Sequence, residues 1–128
     1  MNTQDCVIVG WTPGQGGRSK AFGALLVAAL DGDAWVWIGQ VGTGFTDRML
    51  ADLMPRLEAI ERPTPPIDDP GLAKVRGARF VEPEIVCEVE YLEITRSTRK
   101  MRAPSFKGLR SDKAPEGCVL EPPAGSRS

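Results

Sequence analysis

Apolar residues along this chain come in short runs broken by Gly, Pro and Asp, a pattern that predicts strands more often than helices. Residues 5–11 (DCVIVGW) form one such run and end at the Gly/Pro-rich loop 12–20 (TPGQGGRSK). Residues 21–41 (AFGALLVAALDGDAWVWIGQV) predict a hairpin, with two β-compatible runs on either side of Asp31-Gly32-Asp33. In its second strand Trp35, Trp37 and Val41 fall on one face, and Val36 and Ile38 on the other. The Ala-rich first run also fits a buried helix segment, but Gly23 and the adjacent turn favour a strand.

The period then changes. Thr46 is placed as an N-cap after the turn 41–45 (VGTGF), Asp47 complements the helix dipole, and Phe45 and Leu50 suit a hydrophobic staple. Met49, Leu50, Leu53, Met54 and Leu57 recur at helical spacing as one apolar stripe, read as core, and Pro55 is expected to kink or end the helix. Residues 61–71 (ERPTPPIDDPG) predict an extended connector. Residues 78–96 form the clearest strand: Ile85, Cys87, Val89 and Tyr91 alternate with Glu84, Glu88 and Glu90. Pro83 is expected at an edge or bulge near its start. A basic strand or turn follows over 100–113, anchored by Phe106 and Leu109.

Three strands, a helix, a strand and a last basic strand make an all-β chain with one helix. This is the order of a five-stranded OB-fold Greek-key barrel with its helix between strands 3 and 4. An SH3-like barrel is the alternative. The length of 128 residues predicts one domain over 1–121, followed by a disordered tail at 122–128. No signal peptide or run of 18 apolar residues is found, so no membrane association is expected. Three scattered Cys suggest reduced thiols in a cytoplasmic protein, and Cys6 and Cys87 read as inert core thiols.

The formal charge of −1 conceals a division. Residues 1–95 carry a net −6 and residues 114–128 a net −1, whereas residues 96–113 hold seven basic side chains and a single acid, Asp112. Such a stretch is a candidate polyanion site or, more simply, a solvated basic loop. The absence of His excludes Ser-His-Asp and Cys-His catalysis and any His-containing zinc site. Loop 10–20 lacks the Gly-Lys-Ser/Thr ending of a Walker site, yet Arg18 and Lys20 could grip a phosphate. Residues 116–121 (EGCVLE) imitate a nucleotide-binding pattern but end in Glu121 rather than Lys. Glu88 with Glu90 read as a solvated strand face and Asp68 with Asp69 as acids of a Pro-rich loop; a divalent site needs several converging oxygens, so either pair is a poor metal candidate and no metal site is assigned. Trp35 and Trp37 could serve as base-stacking platforms, although a place in the core is the plainer reading. Arg110, Asp112 and Lys113, within four residues, present fixed cations suited to a polyphosphate.

On these residues the chain resembles the C-terminal OB-fold domain of ATP-dependent DNA ligases, closest to the bacterial ligase D type used in end joining. The matching segments are VIVGWTPGQGGR (7–18), FGALLVA (22–28) with VGTGFTD (41–47), FVEPEIVCEVEYLEIT (80–95) and RAPSFKGLRSDK (102–113). The last resembles the family's sixth nucleotidyltransferase motif, Arg-x-Asp-Lys. The resemblance implies that Arg110, Asp112 and Lys113 orient the pyrophosphate of ATP while a separate adenylation domain adenylylates its own lysine. It also implies that the domain then contacts nicked or broken duplex DNA. Arg18, Lys20, Arg99, Lys100, Arg102 and Lys107 are the expected phosphate contacts, on charge. ATP and Mg2+ are implied for the intact ligase, and neither for this domain alone. A bacterial cytoplasmic, nucleoid-associated location is expected.

No Lys in the chain is followed by x-Asp-Gly, so it carries no adenylation nucleophile and is not expected to seal nicks alone. A free-standing OB-fold module for DNA or RNA, without a catalytic role, is the alternative reading. A domain of a GTP-using capping enzyme or RNA ligase is a third.

Overall fold

The computed structural model describes residues 2–14 and 22–120. The described residues form strands β1 (Asn2–Pro13), β2 (Phe22–Asp31), β3 (Ala34–Val41), β4 (Glu61–Arg62), β5 (Arg79–Val81), β6 (Val86–Tyr91), β7 (Glu93–Ile94), β8 (Met101–Arg102) and β9 (Ser105–Leu109). Helix α1 (Asp47–Ala59) follows β3, and the single-turn helix α2 (Pro70–Ala73) lies between β4 and β5. Arg18 and Lys20, in loop 15–20, and the tail expected at 122–128 lie outside the described residues.

β1 is the organising strand. One edge pairs with β2 from Val7↔Ala28 to Pro13↔Phe22. The other edge is shared: Asn2 to Val7 pair with β6, and Gly10 and Trp11 pair with β5. β6 pairs in turn with β9, so the main path runs β3-β2-β1-β6-β9, all antiparallel. This is the OB-fold expected from the element order, with the helix between the third strand and the later ones. The long strand expected over 78–96 is instead broken. Glu82 to Ile85 interrupt it at Pro83, and residues beyond Tyr91 leave the sheet to form the separate β7–β8 ribbon. Pro83 has no N–H to give a ladder, which is the physical reason for the break.

The sheet does not close into a complete barrel, since β3 and β9 share no ladder. Among the described residues a backbone bond joins these edges, from Phe106 N–H to the Thr43 carbonyl at 2.9 Å. Gly44 permits this contact. Its φ is +94°, and a Cβ there would lie 2.5 Å from the Phe106 carbonyl oxygen. The Phe45 ring stacks on Phe106 at 4.7 Å beside it.

The hairpin turn forms as its sequence predicts. Asp31 pairs with Ala34 across a two-residue Gly32-Asp33 loop, with positive φ at Gly32 only. The faces of β3 differ from simple alternation. The ladder steps from Val27↔Gly39 to Ala28↔Trp37, a bulge that gives β3 one extra residue. Beyond it Val41 returns to the barrel interior with Ile38, while Trp35 and Trp37 stay outside. The two Trp are therefore not in the main core. They pack on a second cluster, with Val7, Val9, Leu26, Ala28, Ile67 and Leu72, beneath the segment that holds α2. The expected connector 61–71 is thus part of the structure: it begins with β4 and leads into α2, whose N-cap Asp69 also accepts the Trp37 N–H at 3.1 Å.

Helix α1 begins where expected. Thr46 Oγ1 accepts the Met49 N–H at 3.1 Å, and the Thr46 N–H reaches Met49 Sδ. Leu53 and Leu57 are buried against the barrel, with Met49, Leu50 and Met54 packed around them. Each fully buried Leu contributes about 2–3 kcal/mol. The helix does not end at Pro55 but continues to Ala59. The bond that Pro55 omits would have reached Ala51, and both residues are exposed, so water can satisfy the freed carbonyl.

The last described segment returns to the start of the chain. Leu30 N–H donates to the Cys118 carbonyl at 2.7 Å, Leu120 N–H donates to the Leu30 carbonyl at 2.6 Å, and Gln4 Nε2 donates to the Val119 carbonyl at 2.8 Å. The first two bonds hold the turn after β9 to Leu30 near the end of β2, and the third holds it to the N-terminal end of β1.

Candidate pyrophosphate-orienting site

Arg110 directly follows β9, and its N–H donates to the Val86 carbonyl at 2.8 Å, so its backbone is fixed to β6. A turn brings Lys113 back toward it, with Lys113 N–H 3.4 Å from the Arg110 carbonyl. Arg110 grips Asp112 through two parallel bonds, Nε to Oδ1 at 3.1 Å and Nη2 to Oδ2 at 3.2 Å. Its Nη1 reaches Asp5 Oδ1 at 3.1 Å, and Lys113 Nζ reaches the other oxygen of Asp5 at 2.9 Å. The three residues singled out in the sequence are therefore brought together at one end of the sheet. Arg110 and Lys113, together with Asp5, border a polar cleft of about 320 Å³, lined also by Thr3, Gln4, Glu88, Gly117 and Val119.

The electrostatics follow from these bonds. The Arg110 hydrogen bonds hold the Asp112 carboxyl below its ordinary range, and the same bonds raise Arg110. The bond to Asp5 raises Lys113. Both cations stay charged at neutral pH, and each has donors that its partners among the described residues do not use. Arg110 has five N–H groups and Lys113 three, so this pairing leaves some of them to face an incoming anion. Asp5 and Asp112 are each committed to a cation, and no cluster of metal-ligating side chains occurs among the described residues. The chemistry of this rim suits phosphate oxygens.

The sequence reading missed Asp5. Its only signal was an acid at the head of an apolar strand. That strand's far partner, Glu88, was read as part of a solvated face, and Asp5 and Glu88 are directly opposite each other in the ladder.

The expected phosphate contacts are not gathered in the same way. Arg99 pairs with Asp31 at 2.7 Å and Arg102 with Glu93 at 2.6 Å, both on the surface. Lys100 sits 4.4 Å over the Trp37 ring and donates to the Trp37 carbonyl at 2.7 Å, and burial lowers its pKa. Lys107 is exposed on β9. Cys6 and Cys87 are opposite each other in the β1–β6 ladder, and they and Cys118 are buried free thiols. No helix among the described residues is long and apolar enough to cross a membrane.

The family model for the C-terminal region of ATP-dependent DNA ligases matches residues 18–113, which include the whole Arg110–Lys113 turn. This chain belongs to that family. The ligase C-terminal domain is 44% identical over 122 residues to the multifunctional non-homologous end joining protein LigD of Mycolicibacterium smegmatis, covering 94% of this chain and 16% of that protein. It is 37% identical over 121 residues to a DNA ligase of Halorubrum lacusprofundi, covering 89% of the chain and 18% of the relative. The solved ligase domain of Mycobacterium tuberculosis LigD superposes with a TM-score of 0.83 at 36% identity, over 94% of this chain and 39% of that one. A mycobacterial DNA ligase D complexed with ATP and MES superposes with a TM-score of 0.77 at 35% identity, covering 94% of this chain and 38% of that one. The chain thus spans a minor part of each relative, and the segments quoted for the resemblance lie mostly within the matched region.

Proposed function

We propose that this domain completes the active site of an ATP-dependent DNA ligase of the end-joining type, by orienting the pyrophosphate of ATP while a separate adenylation domain adenylylates its lysine. The observation that carries this reading is the convergence of Arg110 and Lys113 on one polar rim, with donors to spare and flanking carboxylates that fix their direction. In-line displacement at the α-phosphate needs the leaving pyrophosphate held along the attack axis, and its developing charge neutralised. Two cations anchored to different parts of one turn suit that task. Asp112 keeps the guanidinium plane from rotating. ATP and a divalent ion belong to the intact ligase, which supplies the nucleophilic lysine that this chain lacks.

After adenylylation the domain grips nicked or broken duplex DNA. Lys107, Arg99 and Arg102 are the described contacts proposed for this, with Arg18 and Lys20. The carboxylate partners of Arg99 and Arg102 are surface pairs worth about 0–1 kcal/mol, weak enough to be exchanged for phosphates. Lys100, committed to Trp37, contributes mainly by holding the β7–β8 ribbon to β3.

The test joins this chain to an adenylation domain bearing Lys-x-Asp-Gly. Adenylylation and nick sealing then depend on the added chain. Arg110→Ala and Lys113→Ala slow adenylylation more than they slow sealing of pre-adenylylated nicks. Equal loss in both steps would remove the pyrophosphate role.

A further inference from the structure

Arg110 and Lys113 lie on a turn after an edge strand; the Arg110 backbone is tied to Val86, but that bond sets the direction of neither side-chain cation. Asp112 cannot do so either, because it is two residues from Arg110, is 71% exposed and moves with the same turn. Asp5 differs on each count. It lies on the central strand β1, its side chain is 17% exposed, and it is 105 residues from Arg110 in sequence. Its two oxygens are divided between the cations, Oδ1 to Arg110 and Oδ2 to Lys113. The backbone around it is also held: Gln4 Nε2 donates to both the Asp5 and the Val119 carbonyls. Asp5 is moreover directly across the ladder from Glu88. Two acids in that relation are unfavourable unless cations offset them, so an acid at position 5 is not what strand stability alone would select.

We propose that Asp5 is a positioning residue for ATP pyrophosphate, a single carboxylate on the rigid strand that sets the separation and direction of Arg110 and Lys113. This rests on the reading of those two cations as the pyrophosphate-orienting pair. The bonds use three of the five Arg110 N–H groups and one of the three on Lys113, leaving the rest free to meet phosphate oxygens. Simple charge counting makes the opposite claim. An acid beside an anion site should weaken it, so its removal should speed the reaction.

The two views separate in Asp5→Asn, measured in the ligase formed by joining this chain to a Lys-x-Asp-Gly adenylation domain. Positioning predicts that adenylylation from ATP slows roughly ten- to hundredfold. Sealing of a pre-adenylylated nick stays within about twofold, since that step no longer holds pyrophosphate. In an Arg110→Ala, Lys113→Ala background the same change adds little further loss, because both cations that Asp5 holds are gone. Thermal unfolding of each preparation is recorded alongside. Should Asp5→Asn lose its transition, Asp5→Glu keeps the charge, moves the carboxylate by one methylene, and is expected to slow the same step selectively. Adenylylation at or above the wild-type rate, or equal slowing of both steps, overturns the proposal. If Arg110→Ala and Lys113→Ala impair adenylylation while the Asp5 variants do not, the Asp5 role alone fails. If neither cation variant affects that step, the underlying reading of the site fails.

Discussion

Replacing Gly44 by Ala attacks the backbone bond from Phe106 to Thr43 that joins the open edges of the sheet. The added Cβ would lie 2.5 Å from the Phe106 carbonyl oxygen, 2.6 Å from its nitrogen and 2.6 Å from Ser105 Oγ, all far inside contact distance. The φ of +94° at that position adds strain of about 1–2 kcal/mol for any residue with a Cβ. Relieving the clash means moving β9 away and losing the bond from Phe106 N–H to Thr43, a further ~1 kcal/mol. The expected loss is roughly 3 kcal/mol, which for a domain of this size lowers Tm by about 10 °C. Gly32→Ala is the matched control. Its φ is +65°, but nothing lies within 4 Å of the new Cβ, so only the backbone strain of ~1 kcal/mol applies. Thermal unfolding followed by circular dichroism compares the two. Equal shifts for both variants would refute the claim that close approach of β9, and not backbone conformation, makes Gly44 necessary. Because β9 leads directly into Arg110, Gly44→Ala should also slow adenylylation in the assembled ligase.

Pro55→Ala restores a helix N–H at an exposed position and should stabilise the domain by about 1–3 kcal/mol in urea unfolding; destabilisation would mean that α1 depends on the proline. The three thiols should resist aromatic disulfide reagents in the native protein at pH 8 and react on unfolding. Burial pushes Cys118 up to about 11 and Cys6 and Cys87 upward as well, so only about one Cys118 in a thousand is thiolate there; rapid native labelling would contradict their placing. The Asp112 carboxyl should titrate below the usual aspartate range by NMR, and Arg110→Ala should return it upward. Its depressed folded pKa means that the pair's stabilisation is full above the unfolded value and is lost as pH falls through the folded one, a strictly acid effect. An Asp112 midpoint unchanged by Arg110→Ala would show the bidentate pair to be unformed in solution.

What the sequence made legible was local. The Gly32-Asp33 turn and the Thr46 cap rest on residues within a few positions of each other, and both form where their neighbours place them. The Val41 face was misjudged because alternation says nothing of a bulge, and the bulge at Ile38 exists only through pairing with Val27 and Ala28. The run of cations over 96–113 was visible as charge, but not how each would be used. Arg99 and Arg102 turn to Asp31 and Glu93, Lys100 turns to Trp37, and Arg110 and Lys113 turn to Asp5. Those partners are set by strand order, which brings the first strand beside the last turn. A charge count along the chain carries no such information.

The role assigned to Arg110 and Lys113 is tested most directly in the reverse reaction, in which pyrophosphate converts the adenylylated lysine back to ATP. The groups that orient pyrophosphate on leaving must also orient it on attack. In the assembled ligase, Arg110→Ala and Lys113→Ala are predicted to reduce kcat/KM for pyrophosphate by the same factor as they slow forward adenylylation. AMP transfer to nicked DNA from the pre-charged enzyme should remain near wild type. Unchanged use of pyrophosphate by both variants, with AMP transfer to DNA impaired instead, would contradict it and place these residues on the DNA.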